Sequence, residues 1–111
     1  MRVTKENINK FIEGSSMDCS NTGITHIEYI PDGIKRLYCY NNKLTELPKL
    51  PDSLKRLYCR YNRLTELPKL PESLYYLDCH NNNLPYEITI GNIKEHNKLI
   101  KRKEILKRIC T

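Results

Sequence analysis

The sequence predicts a repeat solenoid: a stack of short coils with about four short parallel strands, an extended polyproline-like convex side and a helical cap at each end. Three observations predict it. Residues 44–62 and 64–82 are nearly identical and twenty residues apart, and a fixed period of that length marks stacked copies rather than a globule. In Leu37-Tyr-Cys39 and its equivalents, alternate residues are apolar, the period-two signature of a strand. Paired prolines, Pro48 with Pro51 and Pro68 with Pro71, then forbid helix and favour extended backbone on the return.

The elements follow in chain order. Residues 1–14 are expected to form an N-terminal helical cap. Thr4 is placed as its N-cap, Val3 and Ile8 have the spacing of a hydrophobic staple, and Ile8, Phe11 and Ile12 make an apolar stripe ended by Gly14. Residues 15–90 hold the twenty-residue repeats. A weak copy runs through Met17, Cys19, Ile24, Ile27, Ile30 and Pro31, with Thr22 where Asn is expected. Two good copies follow, Ile34, Leu37, Cys39, Asn42, Leu44, Leu47, Leu50 and Leu54, Leu57, Cys59, Asn62, Leu64, Leu67, Leu70; a third opens with Leu74, Leu77, Cys79, Asn82 and Leu84 and then degrades.

Equivalent strands are expected to pair in parallel about 4.8 Å apart with Leu and Cys inward. Asn42 and Asn62 end their strands, where a buried amide both donates and accepts; leaving such groups unpaired would cost about 1–3 kcal/mol each. Residues 91–111 are read as a basic C-terminal helix and cap, helical over about 92–109. Ile93 and Ile100 share one face of it, while Leu99, Ile105, Leu106 and Ile109 lie on another. The first part is expected to cap the core, and the second to project or bend.

The unit Leu-x-x-Leu-x-Cys-x-x-Asn-x-Leu, present three times in register, resembles the leucine-rich repeat in its short, twenty-residue form, over roughly residues 15 to 90. The Leu-Pro-x-Leu-Pro return is similar to the repeats of bacterial secreted effectors. Cys at the third apolar position, with abundant Asn, Lys and Ile, is similar to repeats of large DNA viruses. The resemblance implies an α/β-type solenoid whose concave strand face is the contact surface.

At 111 residues the chain reads as one domain. Its net charge of +6 is unevenly placed: residues 14–90 sum to zero, and residues 91–111 carry seven basic against two acidic side chains. The basic character therefore belongs to the tail, which argues against a whole domain built to grip nucleic acid. No apolar signal region opens the chain and no stretch has the length of a membrane span. Five cysteines without a secretion signal point to a reducing, cytoplasmic setting, host cytoplasm if the protein is viral or effector-derived. Export by a route without an apolar signal stays open.

Cys19, Cys39, Cys59 and Cys79 recur at equal spacing and are expected to stack as a ladder. Strand spacing does not exclude disulfides, but the compartment and the inward position favour reduced core thiols. No close-spaced Cys pair offers a zinc site. Cys110 falls outside the ladder and is expected to be exposed. His26, His80 and His96 stand far apart, none with a nucleophile at a motif spacing, and no phosphate loop, paired-acid motif or dinucleotide fingerprint occurs. The reading is of a protein without enzymatic activity, cofactor or metal.

The outward strand positions remain. Arg36, Tyr38 and Tyr40, then Arg56, Tyr58 and Arg60, then Tyr76, Asp78 and His80 are the candidate partner-binding set, because Tyr and Arg concentrate at the energetic centres of protein interfaces. The alternative reading of the same residues is cross-strand stabilisation. The function expected is protein–protein recognition by this face. Two alternatives stand beside it. One is binding of an anionic ligand, nucleic acid or membrane, through Lys101, Arg102, Lys103, Lys107 and Arg108, a run that also reads as a solvated helix face. The other is a structural, self-associating role, with monomer and homodimer both open.

Overall fold

The computed structural model describes the backbone of residues 1–110 and the side chains of residues 1–108. The sequence readings for the Ile109 and Cys110 side chains therefore lie outside the described residues. The molecule measures 40 × 29 × 26 Å. Its main sheet has the spatial order β2 (Ile12–Glu13), β3 (Ser16–Asp18), β5 (Arg36–Tyr38), β6 (Arg56–Tyr58), β7 (Tyr76–Asp78). β3, β5, β6 and β7 run parallel, with Met17, Leu37, Leu57 and Leu77 in one row of the register. A separate pair joins β1 (Arg2–Val3) to β4 (His26–Ile27) in parallel.

The core is the row of inward strand residues plus the apolar residues of the return. Met17, Leu37, Leu57, Cys19, Cys39 and Cys59 are fully buried, and Leu44, Leu64, Leu67 and Leu70 meet them from the opposite side. After each strand the chain bends through a left-handed residue at Asn21, Asn41, Tyr61 and Asn81, with φ between 54° and 58°. The returns, such as residues 46–51 and 66–71, carry neither helix nor strand. The turn that leads into each strand is closed by Ser53 and Ser73, whose hydroxyls donate to the carbonyls of Ile34 and Leu54 at 2.8 Å in the preceding coil.

An asparagine ladder joins successive coils. The Asn62 amide nitrogen donates to the carbonyls of Cys39 (2.9 Å) and Cys59 (3.1 Å), while its oxygen accepts from the Leu44 N–H at 3.0 Å. Asn42 and Asn82 repeat the pattern one coil away on either side. In the first coil Thr22 stands in by donating its hydroxyl to the Cys19 carbonyl at 2.6 Å.

The N-terminal segment corrects the expectation of a helical cap over residues 1–14. Only Ile8–Phe11 is helical, as a single 3-10 turn, and Thr4 does not cap it with its side chain. Instead the Asn7 side chain accepts from the Thr4 N–H at 2.8 Å. The physical reason is the free edge of β3. Strand-edge amides and carbonyls need partners, and β2 supplies them by pairing antiparallel with β3 through the two-residue Gly14–Ser15 turn. Gly14 takes φ 61° there, as the first position of such hairpin turns requires.

At the other end α1 spans Ile93–Cys110. A 3-10 turn, Ile90–Asn92, leads into it, and the Asn92 side chain accepts from the Thr89 N–H at 2.8 Å. In the first turns of α1, Ile93 and His96 are buried, and Ile93 belongs to the core cluster. His96 Nε2 donates to the Pro68 carbonyl at 3.0 Å, and Asn97 pairs with both the N–H and the C=O of Leu70 at 2.8 Å. The helix is thus fastened to the return side of the preceding coil. In the neutral ring, Nδ1 of the buried His96 then accepts from the Tyr86 hydroxyl at 2.6 Å. Beyond Ile100 all side chains through Arg108 are exposed, Ile105 and Leu106 included.

Candidate functional site

Alternation along three-residue strands fixes what the sheet presents outward. The register sets Ser16, Arg36, Arg56 and Tyr76 in one column and Asp18, Tyr38, Tyr58 and Asp78 in the next. Ser20, Tyr40, Arg60 and His80 follow just beyond the strands. Their rungs continue through the Asn21, Asn41 and Tyr61 amides, which donate at 3.1 Å to the carbonyls of Tyr40, Arg60 and His80.

The tyrosines form a pile. Tyr38 and Tyr58 stack with ring centroids 4.7 Å apart and planes inclined by 11°, and Tyr76 leans onto Tyr58 at 4.9 Å and 34°. Offset aromatic pairs of this kind contribute about 0.5–1.5 kcal/mol beyond their burial. The pile splits the face into two halves of different electrostatic character.

In the half following the strands the charges are paired. Arg60 Nη1 lies 3.0 Å from Asp78 Oδ2, and its guanidinium sits 4.2 Å from the centre of the Tyr40 ring. The other Asp78 oxygen contacts His80 Nδ1, and the Tyr61 ring meets His80 edge-on at 5.3 Å. Of the candidate set, Tyr40, Arg60, Asp78 and His80 are therefore tied to one another.

In the half at the strand starts the cations lack such partners. Arg56 donates from Nε to the Tyr75 hydroxyl at 3.0 Å, and Arg36 reaches Ser16 Oγ at 3.4 Å. The Tyr75 hydroxyl, with Tyr58 alongside, raises the Arg56 guanidinium above the usual arginine value, and Arg56 in turn lowers the Tyr75 phenol. Lys35 and Lys55 are exposed at the positions just before Arg36 and Arg56. Among the described residues no carboxylate lies within ion-pair distance of Lys35, Arg36, Lys55 or Arg56. Sequence reasoning missed Lys35, Lys55 and Tyr75, which precede the alternating strand residues; their signal was the shared register position one step before each Arg36-type residue.

The remaining candidates lie elsewhere. Lys101, Arg102, Lys103, Lys107 and Arg108 are exposed on α1, away from the tyrosine pile. The cysteine ladder is unbridged: Cys19, Cys39, Cys59 and Cys79 are free thiols. Burial pushes the Cys19 thiol up to about 12 and raises Cys39, Cys59 and Cys79 as well. No group of three or more metal-ligating side chains converges among the described residues, and no described helix is long and apolar enough to cross a membrane.

Parallel rungs at a twenty-residue period, an asparagine ladder and a helix-free return define a leucine-rich repeat fold. The chain is similar to the solved structure of YopM from Yersinia enterocolitica WA-314, a bacterial effector with leucine-rich repeats, at 43% identity and a TM-score of 0.60. The match takes in 60% of this chain and only 15% of the length of that one. No protein-family model matches the sequence, and no curated protein does. Likeness to a leucine-rich repeat protein points to a protein–protein interaction module in general.

Proposed function

We propose that the protein is a non-catalytic recognition module that binds a protein partner across its concave strand face. The observation that carries this reading is the Tyr38–Tyr58–Tyr76 pile on the outer face of the strands, its first two rings half-buried and Tyr76 exposed, flanked by Arg36 and Arg56. Large aromatic rings held rigid by their neighbours present contact area at little entropic cost, and arginine adds charged hydrogen bonds at its margin. Action inside a host cell, as an effector-like protein, belongs to the same reading and draws on the likeness to YopM. The likeness to repeats of large DNA viruses rests on the cysteine position and the Asn-, Lys- and Ile-rich composition alone.

The test is a pull-down from cell lysate at moderate and high salt, with the Arg56→Ala/Tyr58→Ala double variant alongside. Both side chains leave the core intact, so the variant is expected to fold and to lose the captured protein. Equal capture by the folded variant would refute the strand-face reading. A second reading, anionic-ligand binding by α1, is favoured by the exposure of its basic residues. Capture of nucleic acid or lipid that vanishes with salt and ignores the double variant would move the function there.

A further inference from the structure

The two halves of the strand face differ in what they leave unsatisfied. Arg60 is neutralised by Asp78 and covers Tyr40. Arg36 and Arg56, with Lys35 and Lys55 beside them, gather four positive charges with no carboxylate of the described residues within ion-pair distance. Bulk charge does not explain this, because residues 14–90 are neutral as a whole. Arg56 is also oriented: its Nε–H donates to the Tyr75 hydroxyl at 3.0 Å, and its guanidinium lies 5.3 Å from the centre of the Tyr75 ring. A pre-positioned fork loses less entropy on meeting a carboxylate.

The tyrosines narrow the choice further. Nucleic acid bases bind such surfaces by stacking on open aromatic faces. Here Tyr38, Tyr58 and Tyr76 turn their faces to one another, so what the inner rings offer outward is edges and hydroxyls. Ring edges carry partial positive charge and phenolic O–H groups donate. Both suit an acceptor-rich, anionic chain.

Resting on the strand-face reading above, we propose that the partner segment is an extended acidic peptide that crosses the strands. Its carboxylates meet Arg36 and Arg56, with Lys35 and Lys55 supplying further charge, and its backbone runs over the edges of the tyrosine pile. Rungs lie about 4.8 Å apart and same-side residues of an extended peptide about 6.5–7 Å apart. Arginine side chains span that difference.

The experiment is fluorescence anisotropy with the intact chain and three labelled probes: a short peptide of alternating glutamate and alanine, its glutamine counterpart, and a short uridine oligonucleotide. The glutamate peptide is expected to bind in preference to the other two. Arg36→Ala/Arg56→Ala is expected to weaken it about tenfold or more, and Lys101→Ala/Lys103→Ala to leave it unchanged. Lys35→Ala/Lys55→Ala, which spares the Arg56–Tyr75 bond, is expected to give a smaller loss of the same sign. Equal binding of the glutamine peptide, tighter binding of uridine, loss with the helix variant instead, or no binding of the glutamate peptide would each overturn the proposal. If the acidic probe fails while Arg56→Ala/Tyr58→Ala still abolishes capture of a lysate protein, the acidic partner falls and the strand-face reading stands. If capture survives as well, both fall.

Discussion

The coil that begins at Leu54 and the coil that begins at Leu74 share almost every core residue, yet they occupy different environments. Leu57, Cys59 and Leu64 are fully buried; their equivalents Leu77, Cys79 and Leu84 are only partly so. The amides of Cys59 and Tyr61 donate to the carbonyls of Asp78 and His80. Those of Cys79 and Asn81 donate to nothing among the described residues. Beside them lies an open groove of about 450 Å³ lined by Leu77, Cys79, Leu84, Tyr86 and Ile88. The same residues therefore have different energetic worth, because in a solenoid each coil is stabilised largely by its two neighbours. The last coil has one coil neighbour and a helix that fastens to the coil return behind it.

The largest expected effect tests that comparison directly. Leu57→Ala is expected to cost about 3–4 kcal/mol, the range for a leucine whose removal leaves an enclosed cavity. Leu77→Ala, on a side chain that already meets solvent, is expected to cost about 1–2 kcal/mol. Urea denaturation of both variants measures the difference. Equal losses would mean that the last coil is as tightly packed as the interior one, against the burial seen here.

This contrast marks how far the sequence is legible. Strand positions, inward leucines and cysteines, and the asparagine ladder all repeat at a fixed period, and a period determines register once one copy is placed. Each end breaks the period, so pattern says little there. At the N-terminus the propensity signals around Thr4, Ile8 and Gly14 fit a helix, and the unpaired edge of β3 overrode them. At the C-terminus the placement of α1 depends on His96 and Asn97, polar residues set between Ile93 and Ile100 on one helix face. That i, i+3, i+4, i+7 pattern shows the buried face but not what it covers. The columns of Arg36, Arg56, Tyr38 and Tyr58 follow from the period as well. The division of the face into paired and unpaired charge does not, because Arg60, Asp78 and His80 find one another only once side chains are in place.

A smaller effect concerns what holds the last coil at all. Asn97 completes a two-bond pairing with the Leu70 backbone, taking the place that a further strand would fill for an edge residue. Asn97→Ala leaves the Leu70 N–H and C=O without it, an expected cost of about 1–2 kcal/mol. The loss should be local. Amide exchange is expected to quicken in α1 and in residues 84–92 while the amides of Cys39 and Cys59 keep their protection. Uniform acceleration throughout the stack would show instead that α1 and the coils unfold as one unit.

The smallest effect lies at the left-handed residue after each strand, where the two coils differ in sequence but not in backbone. Asn81 and Tyr61 take φ of 58° and 55°. Asparagine tolerates that region because its short side chain bonds locally, whereas a bulky residue there is strained by about 1 kcal/mol or more. Tyr61 recovers part of this through its edge contact with His80 at 5.3 Å, an interaction of about 0.5–1 kcal/mol. Tyr61→Asn removes both the strain and the contact. It also sets an amide one rung from Asn41, which already donates to Asn21 at 2.9 Å, so that short side-chain ladder would gain a member. The expected outcome is a gain of about 0.5 kcal/mol, read as a higher urea midpoint with an unchanged slope. Half of the Tyr61 surface is exposed, so no cavity offsets the gain. A lower midpoint would mean that the ring contact outweighs the backbone strain. Tyr61 would then belong with Arg60, Asp78 and His80 as part of what holds the paired half of the face in shape.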